Sequence, residues 1–160
     1  MKILVTGTAG FIGSTLALKL LARGDEVIGV DNVNDYYDVD LKLARLERVK
    51  AFDGFTEVRG NIEDRSLMEK TFRDHQPQRV VNLAAQAGVR YSLENPYAYI
   101  DANIVGFMNV LENCRHTGVE HLVYAQPAPS TATTPICRSR LTSRSIIPSA
   151  CMQPPKNPTN

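Results

Sequence analysis

The 160-residue chain contains no tryptophan and only three cysteines, and its apolar runs are short. Cys114, Cys137 and Cys151 fit neither a metal-ligand spacing nor a disulfide framework, so we expect no metal. No apolar run is long enough to cross a bilayer. Glycines and Lys19 interrupt the apolar N-terminal stretch, which argues against a secretory signal. We therefore expect a cytoplasmic protein with no membrane partner.

Residues 126–160 lack glycine, aromatic and acidic residues, yet they hold seven of the nine prolines. Such a segment cannot form long regular elements and has too little apolar surface to fold alone. Residues 1–125 carry 14 basic and 17 acidic side chains, and the tail carries four basic ones. Neither part has the basic patch of a nucleic-acid binder. We predict one domain, residues 1–125, followed by an irregular tail, residues 126–160.

Strand-like and helix-like segments alternate along residues 1–125. The predicted strands are 2–6, 26–30, 55–58, 79–83 and 121–125. The predicted helices are 14–23, 41–49, 64–74 and 102–116. This alternation predicts an α/β fold, a Rossmann-like doubly wound parallel sheet of about five strands. We expect the sheet to be incomplete at its C-terminal side.

A glycine-rich turn joins the first predicted strand to the first helix. Gly7 permits the sharp turn, Gly10 the close approach of a ligand, and Gly13 the packing of helix on strand. Backbone amides at the helix start would then bind a pyrophosphate. Asp31 ends the second strand, where a carboxylate accepts hydrogen bonds from ribose hydroxyls and repels a 2′-phosphate. The spacing predicts NAD as cofactor; the alternative is a plain turn with a solvent-facing aspartate.

Residues 31–38 (DNVNDYYD) and 85–92 (AQAGVRYS) are specific motifs, as are Asn95-Pro96 and residues 103–106 (NIVG). With the glycine turn, they make residues 1–125 resemble the extended short-chain dehydrogenases/reductases. Within that family the nucleotide-sugar epimerases and dehydratases, and UDP-glucuronate 4-epimerases above all, are the most similar. The resemblance implies NAD, a UDP-sugar partner and a homodimer that contacts through the helix carrying Asn103.

The resemblance also assigns cofactor roles to individual residues. Phe11 and Ile12 would lie beside the pyrophosphate, and Asn32 would join Asp31 at the adenosine ribose. The remaining cofactor residues would be Asn61 and Ile62 at adenine, Leu83, Ala84 and Ala85 along the inner half, and Asn103 at nicotinamide. Two alternatives stay open: Asn61 as a cap of the helix at 64, and Asn103 as a satisfied helix amide.

On the sugar side, the resemblance assigns the loop of residues 86–92. Gln86 and Ser92 would face the sugar, and Arg90 would bind an anionic substrate group. The alternative for Arg90 is an ordinary surface charge.

The chemistry that the resemblance implies is reversible oxidation at the sugar C4 by NAD. It uses a Ser or Thr and a Tyr-x-x-x-Lys pair. None of the six tyrosines is followed four residues later by lysine, and residues 126–129 (QPAP) stand where the serine-rich segment belongs. We therefore assign no catalytic residue and predict that this chain is catalytically incomplete. The alternatives are an NAD-binding module without catalysis and a non-functional product with impaired dimerisation.

A second reading frame of the tail can encode the missing motifs. Residues 127–132 can then give SSVYG, residues 136–139 can give MPF, and residues 147–157 can give PISLYAATKK, which contains Tyr-x-x-x-Lys. Our hypothesis is a frameshift near codon 126, in the gene or in its sequencing. The DNA sequence across this codon tests it.

Overall fold

The computed structural model describes residues 1–88 and 90–125, and within them five strands alternate with helices. The strands are β1 (Lys2–Thr6), β2 (Glu26–Asp31), β3 (Phe55–Arg59), β4 (Arg79–Asn82) and β5 (His121–Tyr124). The helices are α1 (Phe11–Ala22), α2 (Val39–Lys50), α3 (Arg65–His75), α4 (Tyr91–Glu94), α5 (Pro96–Ile100) and α6 (Phe107–Thr117). A π-helical segment, Asp101–Gly106, precedes α6.

All strand pairs are parallel, in the order β3-β2-β1-β4-β5. This confirms the predicted Rossmann-like parallel sheet and its five strands for the described residues. The chain winds outward from β1 in one direction to β3, then returns to add β4 on the other side. In such sheets a ligand binds beyond the carboxyl ends of the strands where the order reverses. That position lies between β1 and β4.

The sheet is covered on both faces, because successive side chains of a strand point to opposite sides. In β1, Leu4 belongs to one buried cluster, whereas Ile3 and Val5 belong to the other. Helices α3 and α6 cover the first face, and α1 and α2 cover the second. The helix residues buried in these two clusters are Met68, Phe72, Val110 and Cys114 on the first face and Ala17, Leu21 and Val49 on the second.

Two of the predicted helices begin earlier in the structure than the sequence predicted. The first helix begins at Phe11 rather than residue 14, because Gly10 already acts as its N-cap. The second begins at Val39 rather than residue 41. There the Asp38 carboxylate accepts hydrogen bonds from the backbone amides of Asp40 (2.9 Å) and Leu41 (3.2 Å). An aspartate in this position satisfies amides that have no partner within the helix.

The segment after β4 is more helical than the sequence predicted. Two short helices, α4 and α5, follow the loop, and Asn95 caps the second by accepting from the Ala98 amide (3.2 Å). Pro96 occupies the first position of α5, where its missing N–H costs nothing. The predicted helix 102–116 is divided into the π-helical segment and α6. Short π-helical segments next to an α-helix often occur at functional sites.

Candidate functional site

The turn between β1 and α1 is held by its own backbone. The Gly7 amide donates to the Val30 carbonyl (2.8 Å), and the Gly10 amide donates to the Gly7 carbonyl (3.1 Å). Gly7 has a φ of 75°, which favours glycine, and a Cβ there would lie 2.9 Å from the Ala84 nitrogen. The chain after β4 thus packs directly against the turn and leaves no room for a side chain at Gly7.

Gly13 lets the first turn of α1 pack against the glycine turn. A Cβ on Gly13 would overlap the Gly7 carbonyl oxygen, so only hydrogen fits at that position. No side chain caps the start of α1, and its first turn contains no acidic residue. The amides of this helix start thus remain available to an anion, at the end where the helix dipole is positive.

Asp31 links the glycine turn to the loop that follows β2. Its carboxylate accepts hydrogen bonds from the Ala9 amide (2.8 Å) and the Val33 amide (2.8 Å), one on each oxygen. A carboxylate has about four acceptor positions, so both oxygens retain capacity for ligand hydroxyls. The carboxylate is half-buried and lines the cavity described below. Asp31 therefore has a structural role that the sequence pattern did not reveal, because it holds two loops together. It is also the predicted ligand for ribose.

A buried hydrogen-bond network fixes the chain after β4. The Thr6 hydroxyl donates to the Asn82 side-chain oxygen (2.7 Å) and accepts from the amides of Leu83 (3.1 Å) and Ala84 (3.0 Å). Thr6 and Asn82 are both buried, at the adjacent carboxyl ends of β1 and β4. The network holds Leu83 and Ala84 against Gly7. Sequence reasoning missed both polar residues, because each reads as an ordinary strand residue.

A cavity of about 650 Å³ opens between β1 and β4, where the strand order reverses. This volume lies within the usual range for a cofactor or substrate site, roughly 300–1,000 Å³. Nine of the predicted site residues line it: Gly7, Gly10, Asp31, Asn32, Ile62, Leu83, Ala84, Ala85 and Gln86. The structure thus brings together the glycine turn, the end of β2, the chain after β3 and the chain after β4.

The predicted adenine side is formed by the chain after β3. Ile62 is buried and lines the cavity. The Asn32 side-chain nitrogen donates to the Asn61 side-chain oxygen (2.8 Å), which ties the two loops together. The cap of α3 is Asp64, which accepts from the Leu67 amide (3.0 Å). Asn61 therefore positions Asn32, and the alternative role as a side-chain cap belongs to Asp64.

Asn103 is occupied by the backbone of Gln86. Its side-chain oxygen accepts from the Gln86 amide (2.9 Å), and its nitrogen donates to the Gln86 carbonyl (3.0 Å). The neighbouring Asp101 and Ala102 line the cavity. Asn103 thus acts on the site through Gln86, and a direct contact with nicotinamide stays a prediction.

Seven predicted residues are not part of the cavity wall: Gly13, Asn61 and Asn103, described above, and four others. Phe11 and Ile12 are 73% and 64% exposed, on the outer side of the start of α1. Arg90 is exposed at the start of α4, and Ser92 is half-buried within it. Their roles toward pyrophosphate and sugar stay predictions.

Lys42 is a cavity residue that sequence reasoning missed. It lies on α2 and reads as one of several surface cations, yet its side chain is only 4% exposed and lines the cavity. Burial lowers the pKa of the Lys42 ammonium, whereas the charges of Asp31 and Asp35 oppose that shift. The burial is the signal, and only the folded chain displays it.

Tyr36 and Tyr37 also line the cavity, from the loop after β2. The Tyr36 ring lies 5.0 Å from the Tyr91 ring, and its hydroxyl fills the space beside Gly88. This contact joins the loop on the predicted cofactor side to the loop on the predicted sugar side.

Cys114, the cysteine of the described residues, lies in the core. Burial raises the pKa of its thiol to about 12, so it stays protonated and unreactive near neutral pH. Cys137 and Cys151 lie outside the described residues, as do the tail and the proposed frameshift. In residues 1–88 and 90–125, no group of three or more His, Cys, Asp or Glu side chains is placed to hold a metal ion.

Within the same ranges, none of the helices combines the length and the apolarity needed to cross a membrane.

The residues around the cavity have the shape and the polar groups that a dinucleotide requires. Glycine stands where side-chain atoms would overlap the turn, and the uncapped amides of α1 begin beside it. A carboxylate with spare acceptor positions lies on the same cavity, as does the buried Lys42 residue. A dinucleotide would match this set of groups, because its anionic diphosphate lies between two riboses that carry hydroxyls.

Comparison with known proteins agrees with the fold. The family model for GDP-mannose 4,6 dehydratase matches residues 4–132. Protein CapI of Staphylococcus aureus is 58% identical over 125 residues, which are 78% of this chain and 37% of CapI. UDP-glucuronate 4-epimerase 4 of Arabidopsis thaliana is 51% identical over 118 residues, 72% of this chain and 26% of that protein.

A solved structure is also similar. The UDP-glucuronic acid 4-epimerase of Bacillus cereus, crystallised with UDP-glucuronic acid and NAD, superposes with a TM-score of 0.72 at 29% identity. The match covers 83% of this chain and 44% of that chain. The present chain thus spans between about a quarter and somewhat less than half of the length of these relatives. Since the family model covers most of its residues, the chain belongs to the GDP-mannose 4,6 dehydratase family, within the extended short-chain dehydrogenases/reductases.

Proposed function

We propose that residues 1–125 form an NAD-binding domain whose cofactor occupies the cavity between β1 and β4. The observation that carries the proposal is the convergence of the glycine turn, the uncapped start of α1 and the Asp31 carboxylate on one cavity. The Bacillus cereus enzyme, which shares the fold, was crystallised with NAD. This relative supports NAD as the ligand class.

NAD would supply a reversible hydride acceptor. The backbone amides after Gly10 would bind the pyrophosphate of NAD, and Asp31 would accept hydrogen bonds from the hydroxyls of the adenosine ribose. Ile62 would pack against adenine, and the segment held by Thr6 would flank the inner half of the cofactor. The same Asp31 would repel a 2′-phosphate, so NAD is preferred over NADP.

For the substrate, we infer a nucleotide sugar of the UDP-glucuronate type. The Arabidopsis relative is a UDP-glucuronate 4-epimerase, and the Bacillus cereus relative binds UDP-glucuronic acid. In this reading Gln86, Arg90 and Ser92 would face the sugar. The homodimer through the segment that carries Asn103 stays a prediction.

We further propose that this chain does not complete the epimerisation. No tyrosine of the sequence has a lysine four residues later, and without such a proton-transfer pair the rate falls by orders of magnitude. The function of the 160-residue chain is then cofactor binding without turnover. Conversion of UDP-glucuronic acid by the purified chain would contradict this.

Calorimetric titration of the purified 160-residue chain tests cofactor binding. We expect NAD to bind and NADP to bind at least about tenfold more weakly, since the 2′-phosphate would meet the Asp31 carboxylate. Equal affinity for both cofactors would contradict the assigned role of Asp31. No heat and no thermal stabilisation with NAD at millimolar concentration would contradict the proposed function itself.

A second candidate, a frameshifted product, is favoured by one observation. The alignment with CapI spans 125 residues, the length of chain that precedes Gln126, although the family model extends to residue 132. An intact in-frame DNA sequence around codon 126 would contradict this candidate. A restored frame encoding the Tyr-x-x-x-Lys pair would support it.

A further inference from the structure

The chain between β3 and α3, residues 60–64, forms the end of the cavity where adenine is proposed to lie. Ile62 is buried and Glu63 is half-buried, and both residues line the cavity. Most of the hydrogen-bond acceptors in this segment already have partners within the protein. The acceptors that remain therefore determine which groups of a ligand the segment can bind.

The backbone carbonyls of the segment are already occupied. The Asn61 carbonyl accepts from the Asp64 amide (3.2 Å). The side-chain nitrogen of Asn109, on α6, donates to the carbonyls of both Ile62 (3.0 Å) and Glu63 (3.0 Å). Three consecutive carbonyl oxygens thus have donors, and α6 anchors the backbone that carries two of them.

A close contact with the π-helical segment holds the same backbone in place. Gly106 is buried at the end of that segment, and a Cβ there would lie 2.5 Å from Cγ1 and 2.6 Å from Cδ1 of Ile62. Ile62 also belongs to the buried cluster that contains Val110 of α6. Because close-packed groups move little, we expect the segment to keep its conformation when a ligand binds.

Among the side chains of residues 61–63, one acceptor group has no partner. The Asn61 side-chain oxygen accepts from the Asn32 side-chain nitrogen (2.8 Å). The Glu63 carboxylate, in contrast, forms no hydrogen bond or ion pair with residues 1–88 or 90–125. An ionised carboxylate accepts hydrogen bonds and donates none. A ligand group that binds it must therefore be a donor.

We propose that Glu63 is a specificity-determining residue for the base of the cofactor, and that its carboxylate accepts a hydrogen bond from the 6-amino group of adenine. The inference rests on the proposed NAD site and adds to it a preference for 6-amino purines. A 6-oxo purine has an acceptor oxygen at this position, so two acceptors would face each other. A site with such a polar group discriminates strongly against an analogue that lacks the matching donor.

The test compares NAD with nicotinamide hypoxanthine dinucleotide, in which a 6-oxo group replaces the 6-amino group. Calorimetry measures the Kd of both ligands for the full 160-residue chain, for Glu63→Gln and for the matched control Glu120→Gln. Glu120 is exposed and precedes β5, at the opposite end of the sheet from the cavity. We expect the original chain and the control to bind NAD at least about tenfold more tightly than the analogue.

In Glu63→Gln, the ratio of the two Kd values should fall at least about fivefold. A glutamine side chain can accept from a 6-amino group or donate to a 6-oxo group, so it distinguishes the bases less well. The urea midpoint of Glu63→Gln should match that of the original chain, because the carboxylate has no partner to lose among the described residues.

Equal affinity of the original chain for NAD and the analogue would overturn the inference. An unchanged Kd ratio in Glu63→Gln would also overturn it, even if both ligands bind more weakly, because Glu63 would then support the site without contacting the base. Either result leaves NAD binding itself intact and so refutes only the role of Glu63. If the original chain binds neither ligand, the proposed function fails, and this inference fails with it.

Discussion

The two walls of the cavity are built differently. The wall formed by β1, α1 and β2 is held by hydrogen bonds through the buried Thr6 and the half-buried Asp31, and its strands belong to both core clusters. The wall formed by residues 91–106 consists of short helical segments with exposed apolar side chains, such as Leu93 (85% exposed), Tyr97 (75%) and Ile104 (63%). The first wall is complete within residues 1–125, whereas the second leaves apolar surface uncovered by them.

This difference separates the two halves of the proposed function. Cofactor binding depends on backbone geometry that a local strand-turn-helix unit supplies, so we expect this part of the chain to be sufficient for it. Sugar recognition depends on side chains that converge from several segments. The comparison predicts that substitutions of the glycines and hydrogen-bonded residues of the first wall change NAD binding and stability, while substitutions of exposed side chains of the second wall, such as Leu93, change neither.

The largest effect should come from Gly13→Val. Its Cβ would overlap the Gly7 carbonyl, so the glycine turn and the start of α1 must separate. We expect NAD affinity to fall about 100-fold or more in calorimetry, because the amides lose their alignment. Gly24→Ala is the control: Gly24 also has a positive φ, but a Cβ there contacts nothing within 4 Å. Gly13→Val with the affinity of Gly24→Ala would contradict the role of the turn.

Thr6→Val should destabilise the fold through the same wall. It removes a buried hydroxyl that serves three hydrogen bonds and leaves the Leu83 and Ala84 amides without that acceptor. We expect a loss of about 2–3 kcal/mol in the free energy of unfolding, measured by urea denaturation. Thr15→Val, an exposed site with one helical hydrogen bond, should cost less than about 0.5 kcal/mol. Equal losses at both sites would contradict the stabilising role assigned to the buried Thr6 hydroxyl.

Asp31→Asn should change cofactor preference rather than abolish binding. The amide keeps an acceptor oxygen but loses the negative charge, so NAD should bind about tenfold more weakly. NADP should weaken less than NAD, because the repulsion of the 2′-phosphate disappears. Calorimetric titrations of both cofactors measure this ratio, with the exposed Asp53→Asn as control. An unchanged NAD-to-NADP ratio would show that Asp31 has no role in selection.

The smallest effect should come from the second wall. Leu93→Ser replaces an exposed leucine and should leave NAD affinity within about twofold and stability within about 0.5 kcal/mol. Calorimetry and urea denaturation measure both quantities. A tenfold loss of NAD affinity in Leu93→Ser would mean that the two walls are coupled, for instance through the contact between Tyr36 and Tyr91.

The strands and the glycine turn were predictable from the sequence, because both depend on local patterns. β1 matches its predicted bounds, and Gly7 has the positive φ that its position in the motif implies. Thr6, Asn82 and Lys42 were missed, since their contacts join residues distant in the chain. Lys42 differs from other helical lysines only in its burial, and burial follows from packing of α2 against α1 and the loop after β2.

Backbone amide NMR of the 160-residue chain, titrated with NAD, tests the central claim most directly. We predict that the perturbed amides cluster at residues 8–14, 31–34, 60–63 and 83–86, around the cavity between β1 and β4. Amides of α6 and of the outer end of α1 should stay unchanged. Perturbations that leave the glycine turn unaffected, or no saturable perturbation at all, would contradict it.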